Sequence, residues 1–145
     1  MSTQERRPRA ISKLLSRNDT SETGAHQAGM LIPRDPLVLA FFPPVDASKK
    51  NPRRAIAFVD DAAERWTFSF IYYNNRFFGG TRNEYRLTHM TGYLRLHGLC
   101  AGDQVVLSID DAGGYRIRCK RAQDLQESDV LKLSTQWRVI PLHLG

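Results

Sequence analysis

The side chains best suited to chemistry in this sequence gather in two polar segments. The first, from Lys13 to Gly29, holds Arg17, Asn18, Asp19, Thr20, Thr23, His26 and Gln27; the second, from Tyr72 to Arg86, holds Asn74, Asn75, Arg76, Thr81, Arg82, Asn83, Glu84 and Arg86. These groups match donors with acceptors rather than make bonds. Arg pairs bidentately with guanine in the major groove, Asn or Gln with adenine, and Glu accepts from the cytosine amino group. Arg82, Glu84 and Arg86 are spaced by two, so an extended strand presents all three on one face. A carboxylate between two guanidiniums orients both through charge-assisted hydrogen bonds, and arginines so held can read adjacent G·C pairs. The competing reading is an exposed ladder of ion pairs, which adds little to stability. For His26 the competing reading is an ordinary satisfied histidine. Tyr72, Tyr73, Phe77 and Phe78 could stack on bases, but they continue the alternation that starts at Trp66 and are expected in the core.

Bond-making chemistry finds little support. Gly79-Gly80-Thr81-Arg82 lacks the spacing and the Lys-Ser/Thr ending of a phosphate-binding loop. Neither G-x-G-x-x-G nor G-x-S-x-G occurs, and there is no C-x-x-C or H-E-x-x-H to hold a metal. Cys100 near His97 imitates a nucleophile pair, although a buried structural thiol is the expected role. A magnesium nuclease needs clustered carboxylates. Asp60-Asp61 and Asp110-Asp111 are the acidic pairs, neither is followed by Asp/Glu-x-Lys, and the second is better explained as a hairpin turn. Two readings therefore stand beside nucleic-acid recognition: a complete small nuclease, and a protein-interaction barrel whose basic face is Arg116, Arg118 and Lys120.

The elements that would position these groups are mostly strands. Trp66 to Tyr73 alternates, with Trp66, Phe68, Phe70 and Tyr72 on one face. Val105, Leu107 and Ile109 alternate, Asp110 to Gly114 is turn chemistry, and Tyr115, Ile117 and Cys119 alternate against Arg116, Arg118 and Lys120, which describes a hairpin with one apolar and one basic side. Met30 to Ile32, Ala55 to Val59 and the stretch from Leu131 to Ile140 add further strands. Leu37 to Phe42 is another apolar element, and Thr81 to Thr88 is a strand or a loop. Met90, Tyr93, Leu94 and His97 follow helical spacing up to Gly98. The sum is mainly β, about seven short strands with one or two short helices, as an antiparallel barrel or sandwich. The 145 residues suit one domain, with 41% apolar and 25% charged residues giving a globular composition. Residues 1–12 are expected as a flexible basic leader and 13–145 as the domain. Part of the net charge of +6 sits at the start, where Arg6, Arg7, Arg9, Lys13 and Arg17 face only Glu5; such an arm favours a polyanion. The longest apolar run, Leu37 to Phe42, is far short of a membrane span. With no apolar run behind the basic start and only Cys100 and Cys119 as thiols, a cytoplasmic compartment is expected.

At its two polar segments the sequence resembles the N-terminal effector-binding domain of the EcoRII-type restriction endonucleases. The resemblance is carried by Asn18-Asp19-Thr20, Thr23-Gly24, His26-Gln27-x-Gly29 and Ile32-Pro33. It continues through Ile71-Tyr72-Tyr73-Asn74-x-Arg76-x-Phe78-Gly79-x-Thr81-Arg82-Asn83-Glu84-x-Arg86. The helix followed by Gly98-Leu99-x-x-Gly102-Asp103-x-Val105 also resembles the pseudobarrel of plant auxin-response transcription factors. The resemblance implies a seven-stranded DNA-binding pseudobarrel with two projecting arms that grip the major groove and read a short CC(A/T)GG-like site in double-stranded DNA. Carried over by position, Lys13 and His26 are N-arm contacts, and Arg82, Glu84 and Arg86 are C-arm base readers. Asn18, Asp19, Thr20 and Gln27 contact DNA or hold the arm's shape, and Arg17, Asn74, Arg76, Thr81, Asn83 and Tyr85 complete the expected interface. Three positions depart from the pattern: Leu31 replaces a tyrosine, and Gly80 and Tyr85 replace lysines. Phosphate contacts are therefore expected to move toward the N-terminal arginines. The resemblance further implies a covalently linked nuclease domain as partner; binding itself calls for no cofactor, and Mg²⁺ only for such a nuclease.

Overall fold

Strand β4 (Arg65–Tyr73) organises the molecule because its alternation gives each face a different task. Phe68, Phe70 and Tyr72 are buried on one side, and the residues between them face the other. In the computed structural model, which describes residues 7–20, 29–125 and 136–140, β4 is flanked by β3 (Arg53–Val59) and β5 (Glu84–Thr88), both antiparallel to it. The other strands are β1 (Ala10–Leu14), β2 (Met30–Ile32), β6 (Gln104–Ile109), β7 (Tyr115–Lys120) and β8 (Arg138–Val139). They form one curled sheet in the order β2-β5-β4-β3-β7-β6-β1-β8. The β3–β7 pairing is parallel and joins two antiparallel halves.

The described strands number eight, against the expected seven; the addition is β1, whereas the two-residue β8 on β1 falls in the stretch from Leu131 to Ile140 where strand was expected. β1 begins at Ala10, so the boundary expected between residues 12 and 13 falls inside a strand. Arg7 and Arg9, expected in the flexible leader, are bonded: Arg7 Nε donates to Ala40 O at 3.0 Å and Arg9 Nη2 to Asp111 Oδ1 at 3.0 Å.

The inner faces of the curled sheet share one core. Ile11, Val105, Leu107, Ile117, Phe58, Phe68, Leu87, Met30 and Ile32 are all buried in it. Two short helices contribute to the same core. α1 (Pro36–Leu39) starts where Asp35 accepts from Leu37 N at 2.9 Å and Pro36 occupies the first turn, a favourable helix start. The proline explains why the apolar run from Leu37 gives a helix. After it, Phe42 stacks on Phe70 with ring centroids 4.3 Å apart. α2 (Thr91–Leu96) buries Tyr93 and Leu94, with Tyr93 edge-on to Trp66. The β6–β7 hairpin closes as expected: Asp110 Oδ1 accepts from Ala112 N at 3.0 Å and Gly114 N at 2.8 Å. Among the described residues no helix is long and apolar enough to cross a membrane.

Candidate nucleic-acid interface

The register of β2, β5, β4 and β3 defines the outer face on which the second polar segment lies. Leu31 pairs with Arg86, Arg86 with Ile71, and Ile71 with Arg53; the next row pairs Glu84 with Tyr73. Side chains in one transverse row share a face, so Arg86 and Arg53 stand on the same surface with Ile71 between them. Beside them is a shallow cavity of about 340 Å³, bordered by Gly29, Arg53, Tyr73, Thr88 and His89.

Glu84 joins the arginines on either side. Its Oε2 accepts from Arg82 Nη2 at 3.3 Å and from Arg86 Nε. Arg82 also lies over the Tyr73 ring, 3.8 Å from its centroid, a cation–π contact that fixes the plane of the guanidinium. Arg86 Nη1 donates to Gly29 O at 3.0 Å, which ties this cluster to the end of the first polar segment. The three side chains keep 36%, 29% and 25% of their surface exposed in the order Arg82, Glu84, Arg86: held in place, yet open to a partner. Partial burial works against the Glu84 charge, but the hydrogen bonds and charges of Arg86 and Arg82 outweigh it and hold the carboxyl below its usual value.

The loop between β4 and β5 is braced from within. A 3₁₀ turn, Asn75–Phe78, ends at Gly79 in a left-handed conformation. Arg76 N donates to Arg82 O at 2.9 Å, and Asn75 Oδ1 accepts from Arg82 N at 2.7 Å. Arg76 and Thr81 are exposed on this loop. Asn74, expected at the interface, is instead buried: its Oδ1 accepts from Asn51 N at 2.7 Å, and its Nδ2 donates to Lys49 O at 2.8 Å. It anchors the loop to the Asn51 and Lys49 backbone. Asn83 spends its Oδ1 on the Tyr72 hydroxyl at 2.7 Å, and Tyr85 stacks on Tyr72 at 4.2 Å; both support the strand from behind. Phe77 and Phe78 are not core residues. They are 67% and 44% exposed, because the alternation stops at Tyr73 and the turn carries both rings outward.

In the first segment the structure separates exposed side chains from buried ones. Lys13 and Asp19 form a buried ion pair, and Asp19 Oδ2 also accepts from Ser16 N at 2.9 Å. Both were expected at the interface, but they clasp the turn at residues 17–20. Arg17 and Asn18 are exposed on that turn, and Thr20 Oγ1 donates to Arg17 O at 3.2 Å. His26 and Gln27 lie outside the described residues. Gly29, at φ +94°, passes so close to β5 that a Cβ there would sit 2.7 Å from Leu87 O.

Other side chains near this face were placed elsewhere or not named by the sequence reading. Tyr73 was expected inside, yet two-residue periodicity puts it opposite Phe70 and Tyr72. Arg34 Nη1 donates to Asn83 O at 3.3 Å, a contact no local pattern foretells. His89 has φ +72° and an exposed ring, with Nδ1 2.8 Å from Thr88 Oγ1. The basic face of β7 exists, with Arg118 and Lys120 exposed, but it lies beyond β3 from Arg86. Cys100 is exposed rather than buried, and its Sγ faces Gly98 O; His97 packs instead against Tyr93 and Trp66. Among the described residues no group of three His, Cys, Asp or Glu could hold a metal ion.

The family model described as "Restriction endonuclease EcoRII, N-terminal" matches residues 8–119. The chain belongs to the EcoRII N-terminal domain family. It is 41% identical over 80 residues to the type II restriction enzyme EcoRII of Escherichia coli, a match covering 52% of this chain and 19% of that protein. It is 27% identical over 117 residues to auxin response factor 10 of Oryza sativa subsp. indica, covering 81% of this chain and 15% of that one. This EcoRII N-terminal-type chain therefore spans a fifth or less of these relatives' lengths. Its fold is shared with the Arabidopsis FUS3–DNA complex, at a TM-score of 0.59 and 24% identity over 77% of this chain and 95% of that one.

Proposed function

We propose that this EcoRII N-terminal-type domain binds double-stranded DNA in a sequence-dependent way, reading base edges in the major groove with Arg82, Glu84 and Arg86. The observation that carries the reading is the Glu84 carboxylate holding two partly exposed guanidiniums on one face, one of them fixed over Tyr73. A surface ion pair alone contributes little. Preset guanidiniums, by contrast, suit bidentate pairing with guanine O6 and N7. Arg17, Asn18, Arg76 and Thr81, exposed on the two flanking turns, take phosphates or outer base edges, and His26 and Gln27 belong to the N-arm contacts. Lys13, Asp19 and Asn74 act by holding the arms. Guanine reading by two arginines around a carboxylate is compatible with a short CC(A/T)GG-like site.

On this reading the chain is the recognition part of a type II restriction system, and DNA cleavage belongs to a linked nuclease domain, where Mg²⁺ would act. The relatives named above support DNA as the ligand: one is a restriction enzyme and one structure holds a DNA complex.

The test is selection of bound duplexes from a random pool, followed by titration of the recovered duplex and a scrambled one. A recovered consensus with G·C pairs at its ends and about a thousandfold discrimination is expected, at the lower end of specific binders. Recovery of no consensus overturns the reading. Plasmid nicking by the purified chain with Mg²⁺, abolished by EDTA, would replace it with the nuclease reading.

A further inference from the structure

We infer that Phe77 is an apolar reader of the same duplex, contacting the C5-methyl group of a thymine in the major groove. The inference rests on the DNA reading above and adds a contact class that the charged cluster cannot supply. Phe77 is 67% exposed, and the turn that carries it is held rigid: Phe77 N donates to Asn74 O at 3.0 Å and Gly80 N to Asn75 O at 2.7 Å. Asn74 itself is anchored to the Asn51 and Lys49 backbone. An exposed phenyl ring on a floppy loop would cover itself by folding back. This one is braced away from the core, so it meets a partner with its conformation already set.

The setting says which partner. Arg76 precedes Phe77 in the turn and is paired through its backbone with Arg82, the residue that continues into the Glu84–Arg86 cluster. A large apolar group next to Arg76, on a turn bonded to the Arg82 backbone, suits a polyanion that also offers an apolar spot. In a duplex read from the major groove, that spot is the pyrimidine C5-methyl. Insertion between base pairs is a minor-groove device, whereas paired Arg and Glu side chains match the major-groove pattern.

The experiment uses the duplex recovered by selection, with each thymine replaced singly by deoxyuridine, which removes only the methyl. For the unaltered protein, at least one replacement should weaken binding about fourfold, the factor for losing one buried methyl-sized group. Phe77→Ala should bind the thymine and uracil duplexes equally at that position, and Phe77→Leu should keep part of the preference. Leu96→Ala, at an equally exposed apolar residue on α2, should behave as the unaltered protein. The inference is overturned if no replacement matters, or if Phe77→Ala keeps the full thymine preference. Absence of any duplex binding would instead remove the DNA reading beneath it.

Discussion

Replacing Glu84 with Gln separates the two readings of the charged cluster by magnitude. The side chain keeps its size and loses its charge, so it no longer clamps Arg82 Nη2 and Arg86 Nε with a full carboxylate. The ion-paired groups are about a third exposed, so folding should lose no more than ~1 kcal/mol, as measured for exposed pairs. Base discrimination should lose more. One good bidentate base contact is worth ~1–3 kcal/mol, or about 5- to 150-fold between right and wrong bases. Binding to a scrambled duplex should hold or strengthen, because the face gains one net positive charge toward the phosphates. Fluorescence anisotropy with the selected and scrambled duplexes gives the ratio, and urea melts of the same preparations give the stability. A specificity ratio that stays within twofold of the unaltered protein would refute the reasoning and leave Glu84 as a surface salt-bridge partner.

Other consequences follow from the supporting residues. Lys13→Met leaves Asp19 charged and buried, and should cost about 3–5 kcal/mol in urea melts, whereas removing both charges in Lys13→Met/Asp19→Leu should recover much of it. Gly29→Ala places a Cβ against Leu87 O at a positive φ; it should destabilise by about 1–3 kcal/mol and also reduce discrimination, since the Gly29 carbonyl holds Arg86. The Asp60 carboxyl sits below its ordinary value because the Trp66 indole N–H donates to it, with backbone N–H groups of Glu64 and Ala62 adding to that against the effect of burial. A group lowered in the folded state stabilises above its unfolded pKa and loses that contribution as pH falls through the folded one. The urea midpoint should therefore drop below about pH 4, and less steeply in Asp60→Asn. If six phosphates are neutralised, affinity for the selected duplex should fall about a thousandfold between about 50 and 200 mM salt; a flat salt profile would argue against phosphate contacts.

Local patterns exposed much of this molecule in advance. The β4 alternation, the Asp110 turn and the α2 spacing are set by neighbours in sequence, and each folds as the spacing implies. The Arg82-Glu84-Arg86 periodicity likewise places its side chains together. Long-range partnership is what the patterns did not carry. Lys13 and Asp19 look like two exposed polar residues until the turn between them brings one onto the other. Asn74 resembles its neighbour Asn75, but only the approach of residues 47–51 shows it to be an anchor. Phe77 and Phe78 match a core alphabet, and a turn after Tyr73 reverses their fate. Strand β1 is fixed by pairing with β6 and β8, so a stretch that reads as a basic leader gives no local sign of it.

Guanines with the ring N7 replaced by carbon offer the most direct measurement of Arg86 as a base reader. Such 7-deazaguanine substitutions delete one major-groove acceptor and leave base pairing intact. Introduced singly into the selected duplex, one of them should weaken binding by the unaltered protein at least fivefold, the lower end for a bidentate contact, and should leave Arg86→Ala unaffected. Equal affinity for every 7-deazaguanine duplex, or an identical loss in Arg86→Ala, contradicts it.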